Sequence, residues 1–329
     1  MAVDSYLELV QNFANHIETA SKIDATNKLP FASFNKIVIS GMGGSSISGA
    51  ILQSYMHDLP MPVFLSRSYA LPKFVDRNTL VFVVSYSGNT EETIASLRTA
   101  LGKGASVIAV TSGGKLLKKF RDEKLPFIEV PGDMQPRVAM PYLLIPILNT
   151  LGRMKLIADP AKEIKKVIET LKEVSYNDQA KNLAGKLTGK IPLIYASERF
   201  LSVAYRWKTQ FNENSKIHAF SGAFSELNHN ELVGYTNVNG NYHVIILEDE
   251  ADHKRVKARM RLTRELISKR NVPTTQILIK GENLLTRLLS AVHIGDLTSV
   301  YLAIFNNTDP EPVQIIEDLK RQLEKIPNI

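Results

Sequence analysis

Between residues 4 and 22, Leu7, Val10, Phe13, Ala14 and Ile17 recur at helical spacing and predict an amphipathic helix. After it the period changes. Short apolar runs without polar alternation follow one another at 36–40, 62–66, 79–84, 106–110 and 126–130. Strands covered on both faces have this pattern, because neither face meets water. Helical stretches fill the gaps at 45–56, at 91–101 and after Gly114. The alternation predicts a doubly wound α/β unit with a mainly parallel sheet over residues 1–152.

The second half repeats this rhythm without obvious sequence identity. Apolar runs at 191–196, 243–247 and 276–280 predict strands, and helices are expected at 198–211, 252–269 and 283–305. A last helix, 312–325, follows the turn formed by Asp309, Pro310, Glu311 and Pro312. The connector 155–189 is helical and charged, and Lys162, Lys165, Lys166 and Lys172 fit a solvated face. The chain is thus expected to hold two tandem α/β units, 1–152 and 153–329.

Composition narrows the field. With 40 Lys+Arg against 33 Asp+Glu the net charge is +7, spread along the chain without a polybasic tail. Aromatic residues are not interleaved with basic runs, so no nucleic-acid partner is expected, while an anionic substrate fits. The absence of cysteine excludes disulfides, thiolate nucleophiles and cysteine metal sites. The N-terminal stretch carries acids early and predicts no signal peptide. No window holds 18 uninterrupted apolar residues, so no membrane span is expected either. A cytoplasmic protein is the expectation.

Two loops carry the candidate chemistry. GMGGSSISG (41–49) follows the first predicted strand, and SYSGNTEET (85–93) follows the third. In an open parallel sheet, ligands lie beyond the carboxyl ends of the strands. Glycines let backbone N–H groups approach an anion, and a helix N-terminus favours negative charge. The plainer reading of each loop is a tight turn with a hydroxyl cap. Two such loops on neighbouring strand ends, with hydroxyls at Ser45, Ser46, Ser85, Ser87 and Thr90, point to a phosphate. No GxxxxGK[ST] occurs, which argues against an NTPase. A dinucleotide fingerprint would need a third glycine at position 46, which is Ser46. The second strand ends at Ser66, Arg67 and Ser68 without the acid that would hold a ribose.

Three further residues stand in unusual settings. Glu213 ends a predicted helix, where the dipole disfavours an acid. Arg137, between Pro136 and Pro141 at a helix start, also opposes the dipole. His229 lies between Asn228 and Asn230, and a neutral imidazole suits proton transfer near neutral pH. The remaining histidines, at 16, 57, 218, 243, 253 and 293, form no metal-ligand pattern.

The two loops, together with PRVAMPYLLIP (136–146), FNENSK (211–216) and ELNHNELVG (226–234), resemble the sugar isomerase (SIS) superfamily. Within it the chain is similar to the archaeal-type bifunctional phosphoglucose/phosphomannose isomerases, over nearly its whole length and with two SIS-like halves. The resemblance implies a metal-free, cofactor-free aldose–ketose isomerase acting on hexose 6-phosphates through a cis-enediol. It implies that Ser45, Ser85, Ser87 and Thr90, with the Gly44 backbone, hold the phosphate. It assigns Glu213 to the C1/C2 proton, Arg137 to the enediolate charge, and His229, with Lys320 on the last helix, to ring opening. The stretch before Lys320, EPVQIIEDLK (311–320), holds no hydroxyl residue, where bifunctional members are understood to use one. The resemblance further implies a homodimer in which His229 reaches the neighbouring subunit's site. Two rivals remain: another SIS phosphosugar isomerase, and a non-catalytic phosphosugar-sensing regulator.

Overall fold

A computed structural model describes residues 3–26, 28–30 and 32–326. The expected first helix is two, α1 (Val3–Gln11) and α2 (Phe13–Ala20), separated at Asn12. Asparagine competes for its own backbone and favours helix ends over interiors.

The first sheet contains β1 (Lys36–Ser40), β2 (Val63–Ser66), β3 (Thr79–Val84), β4 (Ser106–Thr111) and β5 (Phe127–Glu129). All pair in parallel, in the order β2-β1-β3-β4-β5. Crossovers run through α3 (Gly43–Tyr55), α4 (Glu91–Gly102) and α5 (Gly114–Asp122). From β1 the chain steps outward to β2, then returns to β3 on the other side. The sheet therefore has a topological switch point between β1 and β3, and both hydroxyl-rich loops leave from it.

The long helix α6 (Met140–Arg153) leads from this sheet to the connector helices α7 (Ala161–Glu173) and α8 (Asn177–Leu187). The second sheet is β6 (Ile191–Ser197), β7 (Phe220–Phe224), β8 (Tyr242–Asp249) and β9 (Thr274–Ile279), parallel in the order β7-β6-β8-β9. Here the sequence expectation was one strand short. β7 reads FSGAF, and its Ser221 and Gly222 interrupt the apolar run that marks a buried strand. As an edge strand it needs less burial, and most of it is only half-buried.

Helices α9 (Leu201–Glu213), α10 (Lys254–Ser268) and α11 (Leu284–Phe305) flank the second sheet, and α12 (Gln314–Leu323) closes the described chain. α9 starts after a 3-10 turn at Glu198–Phe200, later than expected. One continuous core fills the space between the sheets. Ile37, Ile39 and Phe82 enter it from the first sheet, Ile194, Ala196 and Ile245 from the second, and Leu144, Trp207 and Leu288 from the helices. By length and composition α11 could span a membrane, but 83% of that stretch is buried in the protein, as befits a core helix. α12 buries none of its residues.

Candidate functional site

The two strand-end loops are joined to each other. Ser45, in the first turn of α3, is buried, and its Oγ accepts a hydrogen bond from the Tyr86 N–H at 3.2 Å. Ser85 is also buried, and its hydroxyl lies 2.9 Å from that of Thr90. Ser87 is exposed at the rim, where its Oγ accepts from the Asn89 N–H at 3.3 Å. The chain bends at Gly88 with φ of +69°, and a Cβ there would lie 1.8 Å from the Gly113 oxygen. Only glycine fits such a place.

The plain capping reading of these hydroxyls fails. The N-cap of α3 is Met42, not a serine, and Thr90 at the N-cap of α4 makes no capping bond. Both helix starts thus keep first-turn N–H groups that no side chain occupies, beside a set of hydroxyls.

Gly44 connects this cradle to Arg137. A Cβ on Gly44 would lie 2.7 Å from the Pro136 oxygen and 3.4 Å from the Arg137 Cα, so the two segments touch backbone to backbone. Arg137 lies in a turn just ahead of α6 and not in the helix, which begins at Met140. Its side chain is only 3% exposed. Nε donates to Asn214 Oδ1 at 2.7 Å. Nη2 donates to the carbonyls of Pro310 at 2.7 Å and Glu311 at 2.8 Å. Nη1 donates weakly to Gln135 Oε1 at 3.3 Å and stands 3.7 Å from Glu213 Oε2. The Tyr6 ring lies 5.4 Å from the guanidinium, close enough for a cation–π contact.

Glu213 is the last residue of α9, with 30% of its side chain exposed. The structure therefore brings Gly44, Ser45, Ser85, Ser87, Thr90, Arg137 and Glu213 into one neighbourhood from four separate segments.

His229 is elsewhere. It ends a 3-10 turn, Glu226–His229, that follows the edge strand β7. Leu227 of this turn packs with Leu193, Tyr195 and Val244, on the face of the second sheet away from the main core. Asn228 Nδ2 donates to Thr263 Oγ1 on α10 at 2.8 Å. His229 itself is exposed and has no hydrogen-bond partner among the described residues. Lys320 is exposed on α12, and its ammonium likewise meets no partner there. Within one chain neither residue joins the Arg137–Glu213 pair.

Two cations near the site were not assigned to it from the sequence, where Arg67 was weighed only as a partner for a dinucleotide 2′-phosphate. Arg67, at the end of β2, donates from Nε to Ser46 Oγ and lies over the Tyr205 ring at 5.1 Å. Its signal was its place at a strand end beside the first loop. Lys216 closes the FNENSK run with φ of +56°. Its Nζ donates to the Glu213 carbonyl and to the Pro310 carbonyl, the latter at 3.0 Å. Although the side chain reaches solvent, partial desolvation and then the Arg137 charge hold its amine below the usual lysine value. Among the described residues no group of three or more acids and histidines is arranged to hold a metal ion.

Two family models and several known proteins match this chain over most of its length. Residues 31–142 match the model of the SIS domain, and residues 176–323 match that of the bacterial phospho-glucose isomerase C-terminal SIS domain. A bifunctional phosphoglucose/phosphomannose isomerase of Caldicellulosiruptor bescii is 39% identical, over 97% of this chain and 99% of that protein. A D-glucosamine-6-phosphate 4-epimerase of Sulfolobus acidocaldarius is 34% identical, over 88% of this chain and 90% of that one. Among solved structures, a glucosamine-6-phosphate deaminase of Thermotoga maritima superposes with a TM-score of 0.70 at 15% identity, covering 93% of this chain and 96% of that one. That likeness concerns the fold.

Proposed function

This chain belongs to the family of bifunctional phosphoglucose/phosphomannose isomerases, and on that premise we propose that it interconverts glucose 6-phosphate and mannose 6-phosphate with fructose 6-phosphate. The observation that carries the reading is the contact of Gly44 with the Pro136–Arg137 backbone, which puts an anion cradle next to an acid–cation pair. A hexose 6-phosphate has a phosphate to anchor at one end and two carbons to exchange a proton at the other.

In this reading the hydroxyls of Ser45, Ser85, Ser87 and Thr90, with the Gly44 N–H, receive the phosphate. Glu213 takes the proton from C2 of the open-chain aldose and returns it to C1. The O1 and O2 protons exchange in the opposite sense, so aldose and ketose have the same composition. In the cis-enediol between them, negative charge develops on oxygen, and the preorganised guanidinium of Arg137 stabilises it. Acid–base groups suffice for these steps, so no cofactor is required. Ring opening falls to His229 and Lys320.

Because His229 lies off the outer face of the second sheet, it serves a site on a neighbouring copy in this reading. The protein is then a homodimer with two composite sites. Residues 1–152 form the phosphate-binding half and 153–329 supply Glu213 and His229. The enzyme acts in the cytoplasm, without nucleic acid or membrane. A coupled assay with glucose 6-phosphate, mannose 6-phosphate, glucosamine 6-phosphate and unphosphorylated glucose tests the assignment. Turnover of the first two alone is expected. Turnover of only the amino sugar phosphate would move the chain to the activity that the Sulfolobus relative's name states.

A further inference from the structure

Asn214 follows Glu213 and forms the C-cap of α9. It is fully buried. Its Oδ1 accepts two hydrogen bonds, from Arg137 Nε at 2.7 Å and from Tyr6 Oη at 3.1 Å. Its Nδ2 donates to Ser299 Oγ on α11 at 2.8 Å, and that hydroxyl donates in turn to the Asp296 carbonyl at 2.7 Å. The amide has only one workable orientation, because Arg137 Nε can donate and never accept. Burial pushes the Tyr6 phenol up to about 12, so it stays a neutral donor at ordinary pH.

The other end of Arg137 is fixed as well. Its backbone carbonyl accepts from Arg206 Nη2 at 2.7 Å. Arg206 forms a buried bidentate pair with Asp296, at 3.0 and 2.7 Å. Arg137 is therefore held at its main chain by a charged pair and at its side chain by a neutral amide. A carboxylate at position 214 would bind the guanidinium more strongly but would neutralise it. An amide holds the group in place and leaves its charge available on the Nη1 side, where Glu213 stands.

From this geometry we infer that Asn214 is a positioning residue, which orients Arg137 through an uncharged acceptor so that its full charge faces the reacting atoms beside Glu213. The inference rests on the proposed roles of Arg137 and Glu213.

The test compares Asn214→Ala, Asn214→Asp and Glu213→Gln with the unaltered enzyme, by steady-state kinetics on glucose 6-phosphate from pH 5 to pH 9 and by circular dichroism. Asn214→Ala should lower kcat ten- to a hundredfold and change KM less than about twofold, since the phosphate cradle is untouched. Asn214→Asp keeps an oxygen toward both Arg137 and Tyr6. Its carboxylate shares the guanidinium with Glu213, so kcat should fall at least as far. The acid limb of kcat/KM should also move to higher pH, because a second negative charge disfavours ionised Glu213. A merely structural asparagine would not move that limb. Should Asn214→Ala not fold, the aspartate variant decides alone: an unchanged kcat or an unmoved acid limb overturns the inference. Inactive Glu213→Gln beside fully active Asn214→Asp overturns it without touching the site assignment. Active Glu213→Gln removes that assignment, and the positioning role with it.

Discussion

Arg137 Nη1 stands 3.7 Å from Glu213 Oε2, although Nε and Nη2 of the same guanidinium make bonds of 2.7–2.8 Å. The protein grips the back of the arginine and leaves its front loosely paired. A short, well-aligned ion pair there would spend the charge on the ground state. In the proposed reaction, a loose pair keeps the acid free to accept a proton and the cation free to meet a developing oxyanion.

The acid is the first residue to test. Glu213→Gln keeps the shape and removes the proton acceptor. Isomerisation should fall at least about a hundredfold, as for a lost general base. Solvent deuterium should no longer enter C2 of the substrate, which NMR of the sugar reads directly. A mutant that still exchanges this proton at the native rate would assign the base elsewhere.

The proposed phosphate cradle gives a different signature. Ser87 is its exposed rim, so Ser87→Ala should raise KM for hexose 6-phosphate with little change in kcat. One hydrogen bond to a charged group is worth about 1.5–3 kcal/mol, or roughly ten- to a hundredfold in affinity. Unphosphorylated glucose should be a very poor substrate. Equal turnover of glucose and glucose 6-phosphate would remove the phosphate from the assignment.

Chelation separates this chemistry from metal-dependent isomerisation. The histidines form no ligand pattern, and the proposed steps use only protein acids and bases. Activity should survive EDTA and exhaustive dialysis unchanged. Loss on chelation, with recovery on adding zinc, would contradict the acid–base reading.

How far the site was legible differs from residue to residue. The first sheet's strands and both hydroxyl loops follow from local pattern, because parallel strands buried on both faces leave unbroken apolar runs. Glu213 was legible because an acid at a helix C-terminus violates the dipole preference. β7 was hidden, since Ser221 and Gly222 break its run and an edge strand lacks the burial that would mark it. The partners of Arg137 were hidden for another reason. Pro310 and Glu311 offer backbone carbonyls from 173 and 174 residues away, and any residue type would present the same oxygen. Arg67 shows a third case: the residue was visible at a strand end, but its meaning depended on β2 lying beside β1.

Stability should depend on a buried histidine of α11 that the proposed reaction does not use. His293 on α11 stacks on Phe13 at 5.1 Å, and its Nδ1 has no partner. Burial lowers its pKa to about 4 from 6.5. The unfolded chain therefore binds more protons than the folded one between these values, and stability rises with pH across that window. Acidification from pH 6.5 toward 4 should cost up to about 3 kcal/mol through this group alone. His293→Phe, which keeps the stack, should flatten the slope of Tm against pH over that range. An unaltered slope would place the titrating group elsewhere.

The last prediction concerns His229, which the fold directs outward. If it completes the site of a neighbouring copy, each site takes Glu213 from one subunit and His229 from the other. Glu213→Ala and His229→Ala homodimers should then both be inactive. After mixing and subunit exchange, about half of the dimers would be mixed, by simple statistics of a two-fold assembly. Each mixed dimer has one site lacking both residues and one site with both intact. About a quarter of native activity should therefore return. Exchange can be followed with one variant enlarged by a tag, as a dimer of intermediate mass. If such dimers form and no activity reappears, Glu213 and His229 serve the same subunit, and the outward turn at Glu226–His229 must fold back onto its own site.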